Sequence, residues 1–395
     1  MRRGLLRQWA RWILGVGLGA LALLAALEVG LRFVPGDHLP TEEYRLFRFD
    51  ERLGWRLRPG LEATVSSPGE YRHRIRVNAR GFRGAACDPR APLRVALVGD
   101  SFLAGLGVRD DELVSSRLAA ALGEGVSVGN YGVPGYGQLQ ELLLLEELLP
   151  RDRPDLVLLF LYVRNDLDDN VGTFDAARSV PRPRARLDAQ GRLRWDEGPV
   201  TRPRPRLGQL AEVLGMLSCT ARLLGTLGAD RGDAAAARRS GPPAELRYCR
   251  KVLASPEEEA LRVTVALARR FVARVRRVGA RCGVVLVPTR WQVEDTAWRA
   301  LRTAEGEAAR GLVREEPQRR LFAELRAAGI LCLDLLPALR ARSGRLYYPW
   351  ETHWTAAGHA AAAEELLRWL RAEGLVEPRD RAQRSALAGS GGAAE

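Results

Sequence analysis

From residue 94 onward the sequence predicts an α/β fold built on a parallel β-sheet. Short apolar runs rich in Val and Leu alternate with longer stretches that have helical spacing. Runs of this kind are typical of strands that are buried on both faces. Their alternation with helices indicates a parallel sheet covered on both sides. In such folds, ligands bind beyond the carboxyl ends of the strands.

Five strands and five helices account for this pattern. The predicted strands are 94–98, 126–131, 156–162, 283–287 and 330–333. The predicted helices are 111–122, 138–149, 256–278, 314–328 and 355–370. A long insertion, residues 168–254, separates the third and fourth strands, and loops of this length are usually functional or disordered. Within it we predict an amphipathic helix near 207–227, which would serve as a lid or side element, and a mobile polar stretch at 230–243.

The first residues predict a membrane anchor. Arginines precede an uncharged stretch, residues 12–27, and apolar sequence resumes after Glu28 as far as Val34. A spanning helix needs about 20 residues, and basic residues stay on the cytoplasmic side. The chain after about residue 35 is therefore expected outside the cytoplasm, in the periplasm or at the cell surface. A cleaved signal peptide is the alternative, with a site near Ala20-Leu21-Ala22, but the apolar sequence continues past that site.

The chain divides into four parts. Residues 1–34 form the basic end and the anchor, and residues 35–93 form a β-rich lead-in, in which apolar and basic residues alternate over 71–77. Residues 94–378 form the α/β domain. The tail, 379–395, is rich in Ala, Gly and Ser, and we predict that it is disordered.

Charge and cysteine content narrow the function classes. The formal net charge is +13, but Lys251 is the only lysine and the arginines are scattered among acidic residues. This distribution argues against a nucleic-acid partner and favours a solvated basic surface. The five cysteines show no metal-ligand spacing. Cys282 and Cys332 have the pattern of buried thiols, and Cys219 could pair with Cys249 in an oxidising compartment.

Four segments with reactive or turn-forming residues follow predicted strands. They are Gly99-Asp100-Ser101-Phe102, Gly129 to Gly137, Val163-Arg164-Asn165-Asp166, and Tyr348 to Thr355. Each has a plain structural interpretation: Ser101 as a helix cap, the second and third segments as Pro-Gly and Asn-Asp turns, and His353 of the fourth as a structural histidine. A further turn, Pro288 to Trp291, lies at the same edge of the sheet and is either a substrate contact or an ordinary turn.

A histidine and an acid stand close together in the last segment. Glu351 and His353 are two residues apart, so on an extended segment their side chains point the same way. His359 falls inside the last predicted helix and is expected to pack there. The four segments together supply a serine, a base, an acid and oxyanion donors, which is the arrangement of nucleophilic acyl transfer.

These segments resemble the four sequence blocks of the SGNH/GDSL hydrolases. The resemblance implies that Ser101 is the nucleophile and that His353 is the base. It implies an oxyanion hole formed by the backbone N–H groups of Ser101 and Gly135 and by the side-chain amide of Asn165. Leu53-Gly54-Trp55 and Asn78 to Gly84 resemble the lead-in of membrane-anchored bacterial members.

Two positions depart from the family pattern. Val163 stands where glycine is usual, and Trp350 stands where the family has its aspartate. The acid is Glu351, two residues before the histidine, which is similar to the Asp-x-His-Trp pattern of bacterial exopolysaccharide O-acetyltransferases. By this resemblance, Glu351 would orient His353.

The resemblance implies a flavodoxin-like three-layer α/β/α sandwich with a five-stranded parallel sheet. It implies a membrane-anchored, extracytoplasmic serine ester hydrolase that acts through an acyl-serine intermediate, with no metal or organic cofactor. Its substrate would be an acyl ester such as an acylated glycan or lipid. Two alternatives remain: an O-acetyltransferase acting on a cell-surface glycan, and a catalytically inactive glycan-binding envelope protein.

Overall fold

A computed structural model describes residues 2–34, 39, 41–172, 174–175, 180–196, 198–201, 217–221 and 244–376. The strands are β1 (Phe47–Asp50), β2 (Gly54–Leu57), β3 (Glu62–Ser67), β4 (Tyr71–Arg76), β5 (Leu93–Gly99), β6 (Val126–Gly132), β7 (Leu156–Tyr162), β8 (Phe174–Asp175), β9 (Val180–Pro181), β10 (Ala185–Leu187), β11 (Leu193–Trp195), β12 (Arg281–Val287) and β13 (Cys332–Asp334). The helices are α1 (Arg2–Leu31), α2 (Ser101–Ala104), α3 (Val114–Leu122), α4 (Gln138–Asp152), α5 (Asn165–Val171), α6 (Ser255–Arg277), α7 (Arg290–Val293), α8 (Asp295–Glu305), α9 (Glu316–Ala327), α10 (Leu336–Arg340) and α11 (Ala356–Ala372).

The centre of the fold is a five-stranded sheet in the order β13-β12-β7-β5-β6. All its strand pairs are parallel. The predicted parallel sheet is therefore confirmed, and the strand bounds agree with the predicted ones within two residues. The order places β5 between β6 and β7, which is the flavodoxin-like arrangement, so the first three strand ends lie side by side at one edge.

Strand β7 shows how the sheet separates two cores. All seven of its residues are buried, because helices cover both faces. Successive side chains point to opposite faces of a strand. Val157, Leu159 and Leu161 accordingly join the core under α4, α6 and α9, whereas Leu158 and Phe160 join the core under α3 and α11. This arrangement is the predicted three-layer sandwich.

The five predicted long helices are present, and their ends differ by a few residues. The first begins at Val114 rather than 111, because a 3-10 turn over Asp110–Glu112 precedes it. Helix α4 continues to Asp152, past Pro150. The shorter helices α2, α5, α7, α8 and α10 were not predicted.

The lead-in consists of two antiparallel hairpins, β1–β2 and β3–β4. It packs directly on the α/β domain: the indole Nε1 of Trp55 donates to the carbonyl of Pro134 at 2.9 Å. The Tyr136 hydroxyl donates in return to the carbonyl of Trp55 at 2.5 Å. Ile75 of β4 is buried and the flanking arginines are exposed, as the alternation predicted.

Helix α1 agrees with the predicted anchor in length and composition. Within it, the segment Arg11–Leu31 is long enough to cross a membrane and contains an 18-residue window with a mean hydropathy of 2.1. All five cysteines carry free thiols, so Cys219 and Cys249 are not bonded to each other. Apart from residues 217–221, the helix predicted near 207–227 lies outside the described residues, as do the polar stretch at 230–243 and the tail from 379.

Candidate active site

Ser101 is the first residue of α2, directly beyond the end of β5. The side chain of the preceding residue, Asp100, caps this helix by accepting a hydrogen bond from the Phe102 N–H at 3.0 Å. The capping function therefore belongs to Asp100, whose second carboxylate oxygen also lies 3.3 Å from Ser101 Oγ. Strand β6 lies very close to this helix, because a Cβ atom added to Gly132 of β6 would lie 2.5 Å from the backbone nitrogen of Ala104.

Ser101, His353 and Glu351 form a continuous chain of contacts. The Nε2 atom of His353 lies 2.7 Å from Ser101 Oγ, and its Nδ1 atom lies 2.7 Å from Oε1 of Glu351. The second carboxylate oxygen, Oε2, accepts from the backbone N–H of His353 at 3.2 Å. The longer side chain of glutamate thus reaches the imidazole from two residues upstream.

The segment that carries the acid and the histidine is not extended, contrary to our expectation. Thr352 has a φ of +65°, a left-handed conformation that is uncommon for a residue other than glycine. The backbone N–H of Tyr348 donates to the carbonyl of His353 at 2.9 Å and closes the segment into a loop. This fold of the backbone turns the Glu351 carboxylate back towards the ring. We call residues 348–353 the acid loop.

The imidazole of His353 is held by an aromatic neighbour and a charge. Phe102 packs against it, with 4.8 Å between ring centroids. Burial lowers the pKa of His353, but the Glu351 carboxylate outweighs this effect by its charge and its hydrogen bond, so the pKa is raised from the usual 6.5. A carboxylate on Nδ1 leaves Nε2 facing Ser101 as the acceptor in the neutral ring.

The predicted oxyanion donors lie on the three neighbouring strand ends. As the first residue of a helix, Ser101 has a backbone N–H with no intrahelical acceptor. Gly135 follows β6 and has a φ of +78°, which glycine adopts without strain. Asn165 opens α5 after β7, and its side-chain nitrogen donates to Asp169 at 2.8 Å. The same nitrogen has a second, longer contact of 3.5 Å to Oδ1 of Asp166.

Asn165 is held in place from the insertion. The carboxylate of Asp169, which accepts from Asn165, also pairs with Arg182 at 2.6 Å. The Arg182 guanidinium lies over the ring of Trp55, 5.5 Å from its centroid, and its side chain is almost fully buried. The lead-in, the insertion and the α/β domain therefore meet beside Asn165.

Three buried carboxyl groups lie beneath this edge of the sheet: Asp100, Glu141 and Asp166. Burial raises the pKa of each, and the Asp100 charge raises the pKa of the other two further. Asp166 accepts from the side-chain nitrogen of Gln138 at 2.6 Å. Sequence reasoning missed this cluster, because its members come from three different elements and form no motif.

A cavity of about 570 Å³ opens beside the acid loop. Its lining includes Tyr162, Arg164 and Thr352 at strand ends and in the acid loop. Thr289, Arg290 and Trp291 also line it, so the predicted turn after the fourth strand does face this cavity. The opposite wall is a face of α8 formed by Ala297, Ala300, Leu301 and Ala304.

His359 has a structural place, as expected. It is buried in α11, and its Nδ1 accepts from the backbone N–H of Val114 at 3.2 Å. Burial lowers its pKa to about 3. In the part of the chain that the structure describes, no group of three or more His, Cys, Asp or Glu side chains is arranged to hold a metal ion.

Comparison with known proteins gives one family match. The family described as SGNH hydrolase-like domain, acetyltransferase AlgX, matches residues 247–390. This segment contains the acid loop and the C-terminal part of the α/β domain. With the parallel sheet already described, this match confirms the resemblance to the SGNH/GDSL superfamily. A search of the curated proteins finds no match.

Several solved structures are similar to the chain at low identity. A lipolytic protein of the G-D-S-L family from Desulfitobacterium hafniense is 12% identical, with 70% of this chain and 99% of that chain covered and a TM-score of 0.35. A catalytic mutant of an acetylxylan esterase from Geobacillus stearothermophilus is 12% identical, with 70% and 94% covered and a TM-score of 0.35. A carbohydrate acetylesterase family member from Sinorhizobium meliloti is 14% identical, with 71% and 98% covered and a TM-score of 0.32.

Proposed function

We propose that the protein is a serine ester hydrolase that acts through an acyl-serine intermediate. The observation that carries this proposal is the contact chain from Glu351 through His353 to Ser101, with two links of 2.7 Å. A nucleophile bonded to a base that is itself oriented by an acid is the arrangement that activates a hydroxyl. It also argues against an inactive glycan-binding protein, which needs no such alignment.

In the proposed reaction, Ser101 Oγ attacks the acyl carbonyl while Nε2 of His353 takes its proton. The tetrahedral oxyanion accepts hydrogen bonds from the N–H groups of Ser101, Gly135 and Asn165. The C–O bond to the alcohol then breaks, and the alcohol leaves with the proton from His353. Water repeats the sequence on the acyl-serine and releases the carboxylic acid. Glu351 stabilises the imidazolium form of His353 in both steps.

A second candidate function uses the same intermediate but a different acceptor. In an O-acetyltransferase, a sugar hydroxyl takes the place of water in the second step. The match to a family described as acetyltransferase AlgX favours this candidate. The acid two residues before the histidine favours it as well.

We further propose that the enzyme works outside the cytoplasm on an acyl ester of a glycan or lipid. Helix α1 supports the location by its length and hydropathy. The cavity beside the acid loop offers room for a substrate of several groups. Its apolar wall on α8 and its arginines suit a molecule that has both apolar and polar parts.

Labelling with a fluorophosphonate probe tests the nucleophile without knowledge of the substrate. We expect the wild type to be labelled and Ser101→Ala to lose all labelling and all activity on a generic acetyl ester. Ser116→Ala on α3 is the control and should keep both. Undiminished labelling or activity in Ser101→Ala would refute the assignment of the nucleophile.

The acceptor is tested by supplying an acyl donor together with a glycan. Transfer of the acyl group to the sugar, measured by mass spectrometry, would support the acetyltransferase. Release of free acid alone, at a rate unchanged by the glycan, would support the hydrolase.

A further inference from the structure

A tight turn in the lead-in places an acidic side chain beside the acid loop. The turn is Ser67-Pro68-Gly69-Glu70, between β3 and β4, and the Glu70 N–H donates to the Ser67 carbonyl at 3.1 Å. Gly69 has a φ of +72°, the value that a type II turn requires at its third position, and proline is favoured just before it. The Ser67 hydroxyl donates to Oε2 of Glu70 at 2.8 Å and fixes the carboxylate.

The Glu70 carboxylate holds the acid loop at two points. Its Oε1 accepts from the backbone N–H of Trp350 at 2.6 Å, and its Oε2 accepts from that of Glu351 at 3.0 Å. Hydrogen bonds from N–H groups to an ionised carboxylate are stronger than neutral ones. The Trp350 side chain is 75% exposed, so packing of its ring does not hold this part of the loop.

We infer that Glu70 is a positioning residue that sets the backbone from which Glu351 reaches His353. This inference rests on the proposed function. The loop needs an external hold because Thr352, between the acid and the base, keeps a strained left-handed conformation. Glu70 fixes the backbone in the middle of the acid loop, at residues 350 and 351. The hydrogen bond from the Tyr348 N–H to the His353 carbonyl joins the two ends of the loop. The lead-in therefore contributes a positioning residue to the site, in addition to packing against the α/β domain.

The hairpin has other contacts that keep it docked when Glu70 is changed. The rings of Tyr71 and Tyr348 pack with centroids 5.0 Å apart. Val65 and Ile75 of the hairpin are fully buried in the core that the lead-in shares with α4. Substitution of Glu70 should therefore loosen the acid loop without unfolding the protein.

Two substitutions separate the reach of Glu70 from its charge. Glu70→Asp keeps the charge but shortens the side chain by one methylene, and Glu70→Gln keeps the length but removes the charge. In both variants of the full-length protein we expect kcat on a generic acetyl ester to fall roughly 10- to 100-fold with KM unchanged, because a small misplacement of a catalytic group costs this much. Glu62→Gln is the matched control: Glu62 lies in the same hairpin and its described ion pair is with exposed Arg74 at 2.6 Å. It should behave as the wild type.

A titration of the histidines by NMR gives a readout that does not depend on turnover. The chain has four histidines, so His353 can be assigned by comparison with His353→Gln. We expect the pKa of His353 to fall towards its usual value in both Glu70 variants, since Glu351 then supports the ring less well, and to stay unchanged in Glu62→Gln. Thermal melting of all variants should be alike.

Three results would overturn the inference: an unchanged kcat and His353 titration in Glu70→Asp, an effect confined to Glu70→Gln, or equal effects in Glu62→Gln. Absence of Ser101 labelling in the wild type would instead overturn the proposed function. With Ser101 labelled normally in the wild type, any of the three results above would overturn the inference alone.

Discussion

Ser101 illustrates how one residue receives its role from its neighbours. A serine at a strand-to-helix turn is ordinarily a cap, and the sequence alone favoured that interpretation. In the structure Asp100 caps the helix through Phe102 N–H, while Oγ of Ser101 faces the imidazole of His353. Glu351, which stands where the related pattern has a shorter aspartate, also depends on its neighbours. The left-handed turn at Thr352 takes up the extra methylene and brings Oε1 of Glu351 to Nδ1 of His353.

The first prediction concerns the acid. The proposed base must be neutral to accept a proton, and the Glu351 carboxylate raises the pKa of His353. Activity should therefore be lost on acidification at a pH above the usual histidine range. In Glu351→Gln the pKa falls, so this loss should move to lower pH, and kcat at its plateau should drop roughly 10²- to 10⁴-fold. The measurement is kcat on a generic acetyl ester as a function of pH.

The control for this prediction is an acid on the surface of α11. Glu364 pairs with Arg342 and lies far from the imidazole in the described contacts. Glu364→Gln should leave both kcat and the pH profile unchanged. A Glu351→Gln variant with the wild-type profile would show that His353 works without the acid.

At the scale of elements, the sequence predicts those strands and helices whose side chains are buried in a regular pattern. Strand β7 is an unbroken apolar run because both its faces are covered, and its position was found without error. Helix α8 was missed, and its residues are at most partly buried. Its apolar face lines the cavity and packs against a separate small cluster around Trp291.

The candidate site was predictable only in part, for the same physical reason. Ser101, Gly135, Asn165 and His353 follow strands, and strand ends converge in a parallel sheet. Glu70 lies in a hairpin outside that sheet, and its contact joins positions 281 residues apart in the chain. Arg182 reaches Asp169 from the insertion in a similar way. No local pattern reports such contacts, because they arise from how whole elements dock.

The second prediction concerns the buried carboxyl group of α4. Both carboxylate oxygens of Glu141 are buried, and among the described residues only the side chain of Gln138 favours their ionised form. Burial raises its pKa well above the usual 4.5, and the Asp100 charge adds to this effect. Between the unfolded and folded pKa values, the folded state holds a proton that the unfolded state has lost. The free energy of unfolding therefore falls as the pH rises through this window.

Replacement of Glu141 by glutamine should remove this dependence. Glutamine is neutral at every pH, so Glu141→Gln should unfold with a free energy roughly 1–3 kcal/mol higher than the wild type near pH 8, and the difference should vanish near pH 4. Urea unfolding at the two pH values measures this. Glu364→Gln, on the exposed side of α11, is the control. A stability loss near pH 8 would mean that Glu141 is ionised in the fold.

At the scale of the whole molecule, the lead-in and the α/β domain share one core. Leu53 and Trp55 of the lead-in belong to the same buried cluster as Leu139 of α4 and Phe271 of α6. The lead-in also supplies Glu70 to the acid loop. These contacts make the lead-in an integral part of the fold, so it cannot act as a free linker.

The last prediction tests the anchor. An 18-residue window within Arg11–Leu31 has a mean hydropathy of 2.1, and the arginines before it favour a cytoplasmic N-terminus. The full chain expressed in a bacterium should stay in the membrane fraction after carbonate extraction, with the mass of an uncleaved protein. A variant without residues 2–34 should be soluble and keep its Ser101 labelling, because the described contacts of the site lie outside α1. Alkaline phosphatase fused after residue 376 should be active only if the domain is exported. Release by carbonate, or a mass that lacks the first 20 to 30 residues, would favour the cleaved signal peptide instead.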